Sequence, residues 1–183
     1  SAKVALEDAI AVQERECIRM LLNYADQQVK DEDDNDELFI SYFLNELEDV
    51  VFETPVYHEI LEHFVSHLKE GRLVDQQSLL SQVSKDAQTL VIDILVDKYE
   101  ISNGWLDKHK IIVPQETDKL KINSFYSVLR LKWRLVQKMI KANMEKLIED
   151  KPDKNEEDIL RMHNELKKLE MSIASELGNV TAR

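Results

Sequence analysis

Five histidines and a tight run of acids are the residues here whose types and spacing could do chemistry. His58-Glu59-Ile60-Leu61-Glu62 approaches the helical zinc-protease pattern, in which two His one turn apart hold the metal and the Glu between them serves as base. Glu62 stands where the second His is required. His58 and His63 lie five residues apart, roughly 140° around a helix, so they cannot share an ion within it. His63 and His67 are one turn apart and could grip a metal, but Tyr57, Leu61, Phe64 and Leu68 form the apolar face of this segment and leave His63 toward water. No His follows a Glu by three residues, as di-iron bundles need. These histidines read as a solvated helix face, and the expectation is neither metal nor cofactor.

The run Asp31–Glu37 holds six acids in seven positions. A calcium loop of the EF-hand type needs Gly at its sixth position and Glu at its twelfth. Counting from Asp31, those positions hold Asp36 and Tyr42. The run therefore reads as a self-repelling, solvated linker. Cys17 sits beside Ile18 and one turn from Leu21, which fits a core thiol rather than a nucleophile. Paired carboxylates are plentiful, but none has the apolar or Gly-rich surroundings that would raise a pKa or shape a cleft. No phosphate-binding loop, dinucleotide fingerprint or Gly-x-Ser-x-Gly turn occurs. No catalytic residue is assigned, and the chain is expected not to be an enzyme by itself.

The elements that carry these residues are helical. Gly and Pro number only three each, too few for the turns of an all-β fold. A single Cys makes neither a disulfide nor a Cys-based zinc site, which favours a reducing, cytoplasmic setting. No signal segment and no apolar run near the length of a membrane span is found. Opening on Ser1 without Met fits a piece of something larger. Residues 1–11 read as a lead-in or linker. Residues 12–116 read as a helical bundle of about five helices, and residues 117–183 as a long helix and a C-terminal helical hairpin.

Within the bundle, Ile18, Leu21, Leu22, Ala25 and Val29 mark one face of a helix over Val12–Val29. Leu38–Leu47 is apolar nearly all round, as a central helix would be. Thr54-Pro55 opens a helix that stops at Gly71, Asp75 opens a short one through Val83, and Ser84 caps the next. Asn103-Gly104 predicts a turn and Ile111–Val113 a short extended link ending at Pro114.

The last third is bipolar relative to the rest. Residues 1–118 hold ten basic and twenty-six acidic residues, whereas Lys119–Lys146 holds eight basic residues and one acid, Glu145. A long helix from near Thr117 carries the seam Ile122, Tyr126, Leu129, Trp133, Val136, Ile140, Met144 and Leu147, within roughly 40° of one line. A second row, Phe125, Val128, Leu131, Leu135 and Met139, predicts that its first half is buried on two sides. Asp150–Lys154 forms the turn. Asn155 caps the return helix, whose seam is Ile159, Met162, Leu166, Leu169, Ile173 and Leu177, with Gly178 as its end. Ile148, Leu160 and Met171 fall off both seams. Together with His163 and Lys167 they are the candidate partner-binding residues. Basic residues flanking the seam read first as stems covering it, with nucleic-acid contact a secondary role.

Three stretches are similar to the C-terminal region of bacterial DnaG-type DNA primases: Arg15-Glu16-Cys17-Ile18-Arg19-Met20-Leu21-Leu22-Asn23-Tyr24, Phe52-Glu53-Thr54-Pro55-Val56-Tyr57-His58-Glu59-Ile60, and Leu95-Val96-Asp97-Lys98-Tyr99-Glu100-Ile101-Ser102-Asn103-Gly104-Trp105. Leu129-Arg130-Leu131-Lys132-Trp133 and the closing hairpin resemble it too, so the likeness runs from about Val12 to Gly178. The resemblance implies a helicase-interaction domain, in which a helical bundle and hairpin recruit primase to the replicative DNA helicase through the helicase's N-terminal domain. The family's zinc ribbon and primer-synthesising core would lie outside this stretch. Single-strand DNA-binding protein is a second candidate partner, and no membrane role is implied. The competing readings are an unrelated helical adaptor or self-associating coiled-coil arm and, further off, a metal-dependent helical enzyme.

Overall fold

The computed structural model describes residues 2–100, 119–149 and 155–181. The fold is all-α: a multi-helix bundle, then a long helix and an antiparallel partner, with one two-stranded ribbon. In chain order the described elements are α1 (Ala2–Tyr24), β1 (Gln28–Lys30), β2 (Asp36–Leu38), α2 (Phe39–Glu46), α3 (Pro55–Lys69), α4 (Gln76–Gln82), α5 (Lys85–Glu100), α6 (Leu120–Ile148) and α7 (Glu156–Thr181). They form two compact units, one of residues 14–125 and one of residues 1–13 with 126–183, so that α1 and α6 each contribute to both. The turn expected at Asn103-Gly104, the link Ile111–Val113, Thr117 and the hairpin turn 150–154 lie outside the described residues.

Residues 1–11 are not a lead-in: α1 is helical from Ala2. Four alanines among these residues favour the helix, and Leu6 and Ile10 continue at helical spacing the stripe that Cys17 and Leu21 complete. The helix also ends earlier than Val29. Residues 28–30 pair antiparallel with 36–38 instead, in the register Gln28↔Leu38, Val29↔Glu37 and Lys30↔Asp36.

The acidic run is thus the turn of a hairpin rather than a repelling linker. Asp31 organises it: its Oδ1 accepts from the backbone N–H of Asp33 at 2.9 Å and of Asn35 at 2.8 Å. The bond from the Asn35 backbone is the main reason that its carboxyl lies below the ordinary range. Asp34 takes the left-handed conformation, φ 65°, which Asp tolerates better than most residues. Lys30 pairs with Asp36 at 2.9 Å and relieves the repulsion.

In the unit of residues 14–125 the core joins Ile18 and Leu21 of α1, Phe39 and Phe43 of α2, Ile60 and Phe64 of α3, and Val91 and Ile94 of α5, all buried. Phe39 and Phe43, one turn apart, stack with ring centroids 5.0 Å apart. Two helix starts in this unit are tied by carboxylates from elsewhere. Thr54 is extended at the start of α3 but makes no side-chain cap. Instead the buried carboxylate of Glu14 accepts from the N–H of Glu53 at 2.5 Å and of Thr54 at 3.1 Å. Glu59 of α3 accepts from the N–H and hydroxyl of Ser84, both at 2.7 Å, while Ser84 Oγ caps Ala87 N–H at 3.3 Å. Asp75 caps α4 through Ser78 N–H at 2.8 Å.

The end of α3 matches the reading of Gly71. Gly71 N–H reaches Leu68 O, and Arg72 N–H reaches His67 O, both at 2.9 Å, with Gly71 at φ 70°. This crossed pair satisfies the last carbonyls, and it requires a left-handed residue that Gly supplies without steric cost.

Candidate docking site

Within its unit the hairpin of α6 and α7 closes on Val136, Ile140 and Ile173, with Leu129, Trp133, Leu166 and Leu177 packed against them. Asn143 meets Ile159 and Gln137 meets Glu170, so the helices run antiparallel. Val128 and Leu131 are buried as well, which bears out burial of the first half of α6 on a second side. Asn155 caps α7 as expected, its Oδ1 accepting from Asp158 N–H at 3.2 Å. Glu156, Glu157 and Asp158 occupy the first turn, where the helix dipole favours negative charge. Gly178 does not end the helix, which continues to Thr181.

The seam differs from the apolar one expected. On α7 the inward positions are Ile159, His163, Leu166, Glu170, Ile173 and Leu177, spaced alternately four and three. Met162 and Leu169 stand beside this line, 54% and 47% exposed. On α6, buried Asn143 takes the place assigned to Met144. Ile122 is likewise mostly exposed. Hydrophobicity alone misplaces the seam, because polar residues can enter it when their hydrogen bonds are met. Asn143 Nδ2 donates to Ile159 O at 2.8 Å. Glu170 accepts from Lys167 Nζ at 2.8 Å and from Gln137 Nε2 at 3.5 Å. The Lys167 hydrogen bond is the main cause that holds the Glu170 carboxyl below the ordinary range.

The five candidate docking residues do not form one patch. Leu160, Lys167 and Met171 line a shallow depression on the outer side of α7, with Glu157, Arg161 and Asn164. Leu160 is 50% exposed and Met171 71%. Ile148, 83% exposed, is the last residue of α6 and does not line that depression. His163 belongs with the seam: it is half-buried, and its Nδ1 is enclosed without a hydrogen-bond partner. Its helical offset from Leu166 separates it from Met171, a distinction that sequence proximity hid.

The other chemically capable residues do not converge. Cys17 is a buried free thiol. His67 Nδ1 is 2.7 Å from His63 O, and the two rings lie 6.4 Å apart. Among the described residues no three His, Cys, Asp or Glu side chains gather as a metal site would, and no helix is long and apolar enough to cross a membrane. The Tyr42 phenol is pushed up to about 12 by burial first and then by Glu46 and Glu37. It works as a clasp: Lys121 Nζ sits 4.6 Å from its ring centroid and donates to Lys30 O at 2.5 Å.

The stretches that carry the family resemblance meet one another in the bundle. Arg15 pairs with Asp97 at 3.5 Å. Lys98 reaches Asn23 O at 3.4 Å and lies over the Tyr24 ring. Glu14, next to the first stretch, holds the N–H groups of the second. Arg15, Asp97, Lys98 and Glu14 thus act as clasps within the bundle.

The chain belongs to the family described as Domain of unknown function (DUF8430), whose model matches residues 2–180. Searches of curated proteins and of solved structures gave no match.

Proposed function

We propose that this chain is a protein-docking module that recruits a DNA primase to the replicative helicase, with the outer face of α7 as the docking surface. The observation that carries the reading is the outward placement of Leu160 and Met171 on a helix whose inner seam is already closed. Nothing in the hairpin's own packing requires an apolar residue there. A partner helix that covers them would gain on the order of 1.5–3 kcal/mol for each side chain fully buried. Association itself costs several kcal/mol, so two partly exposed anchors suit a complex that forms and dissolves readily. Lys167 and Arg161 at the edge of the depression would orient the partner and speed encounter.

The helicase enters through the resemblance of Arg15–Tyr24, Phe52–Ile60 and the hairpin to primase C-terminal regions. Several contacts tie the first two segments into the bundle. Isothermal titration of the chain into purified replicative helicase, and into its isolated N-terminal domain, tests the reading. Saturable binding to both is the expected result. Heat of dilution alone with both would dispose of it, as would light scattering that showed the same face closed in a stable dimer of this chain.

A further inference from the structure

Charge is divided between the two compact units. Residues 14–125 hold 11 basic and 24 acidic residues, a net of −13, whereas residues 1–13 with 126–183 hold 13 and 12, a net of +1. These sum to the −12 of the whole chain. Arg15, Arg19, Lys30, Arg72, Lys121, Arg161, Lys167 and Lys168 each pair with a carboxylate. On α6 only some cations pair, Lys121 among them. Among the described residues, Arg130, Arg134, Lys141 and Lys146 have no carboxylate within ion-pair distance.

Arg130, Arg134, Lys138 and Lys141 recur at intervals of four, four and three. They lie within ~80° of one another around α6 and step ~6 Å along its axis for each four residues; Arg130 is exposed, whereas Arg134, Lys138 and Lys141 are half-buried beside the buried Leu131. Arg134 also has its guanidinium 4.7 Å from the Trp133 ring centroid and donates to Gln137 Oε1 at 3.1 Å, which orients the planar group.

We propose that this row on α6 binds a single-stranded nucleic acid, independently of docking through α7. A linear series of cations one turn apart matches a linear series of phosphates better than it matches an isolated carboxylate. Two of the four are arginines, whose forked donors suit phosphate oxygens and whose flat faces accept a stacked base. The row is short, and net charge elsewhere is strongly negative, which opposes the broad phosphate footprint of a duplex. A flexible single strand can bring a few phosphates to the row while its remainder stays away from the acids.

Fluorescence anisotropy of a labelled oligothymidylate, titrated with the full chain at several salt concentrations, tests this. Engagement of about three phosphates predicts that log affinity falls with log salt at a slope of about −2, given roughly −0.7 per phosphate on single strands. The triple variant Arg130→Gln/Arg134→Gln/Lys141→Gln, with an unchanged circular-dichroism melt, should bind at least about tenfold more weakly with a slope near zero. Arg130→Glu alone, at an exposed position, carries the test should the triple variant not fold, with affinity expected to fall severalfold. Absence of binding at about 50 mM salt, or unaltered affinity in the variants, overturns the proposal. So does a poly-glutamate peptide that binds the row more tightly than the oligonucleotide, which would assign it to an acidic protein segment. Helicase titration with the triple variant separates the two readings, because loss of nucleic acid with helicase binding intact leaves the α7 surface standing.

Discussion

Glu14 and Met171 invert the usual placement of their residue types, each in a different unit. In residues 14–125 a carboxylate is fully buried because it has work there, accepting two backbone N–H groups ahead of α3. In the hairpin a Met is left 71% exposed, although Ile173 half a turn away is buried. The first unit closes even its polar contacts inward. The second closes one seam and leaves a further apolar strip uncovered. Burying an acid costs heavily unless its hydrogen bonds are made, and exposing one apolar side chain costs little, so both arrangements are stable. The strip on α7 is surface that another molecule could improve.

Substitution should separate the two regions sharply. Phe43→Ala removes a fully buried ring that stacks on Phe39, and is expected to cost about 3–5 kcal/mol in denaturant unfolding. Met171→Ala at the exposed site should stay within about 0.5 kcal/mol. Equal losses would erase the contrast. Glu14→Ala strands the N–H groups of Glu53 and Thr54 and is expected to cost about 1–3 kcal/mol. An unchanged melt would mean that water replaces the carboxylate, and the inward closure of this unit would be overstated.

Glu59 gives the smallest effect and a pH signature. The Ser84 hydroxyl chiefly, and then its backbone N–H, hold the Glu59 carboxyl below its ordinary value. Its folded pKa is therefore below the unfolded one, near 4.3. The stabilisation is complete above that value and fades as pH falls through the folded pKa. At this exposed position solvent screening leaves only a few tenths of a kcal/mol. Stability curves of wild type and Glu59→Gln should thus differ slightly near neutral pH and converge in acid; divergence in acid would reverse the assigned sign.

Much of this architecture was legible in the sequence where local rules act alone. The Pro55 start, the Gly71 stop, the Asp75 and Ser84 caps and the Asn155 cap all depend on neighbours within a few residues. What sequence reading missed depends on partners far along the chain. Glu14 caps N–H groups 39 and 40 residues away, so Thr54 drew the credit. Acids at 31–37 looked mutually repulsive because Asp31 folding back on Asn35 is not visible as a charge pattern. At the candidate site, hydrophobicity put Met162 and Leu169 inside the seam where His163 and Glu170 belong. The outward placement of Leu160 and Met171 was legible, since helical phase alone sets it.

Calorimetric titration of the Leu160→Asp/Met171→Asp double variant into purified replicative helicase is the most direct test of the docking surface. Leu160 and Met171 serve a partner rather than the fold, so the variant should melt like the wild type yet lose at least about a hundredfold in affinity, roughly 2.7 kcal/mol. A folded variant that binds the helicase as tightly as the wild type would contradict the account.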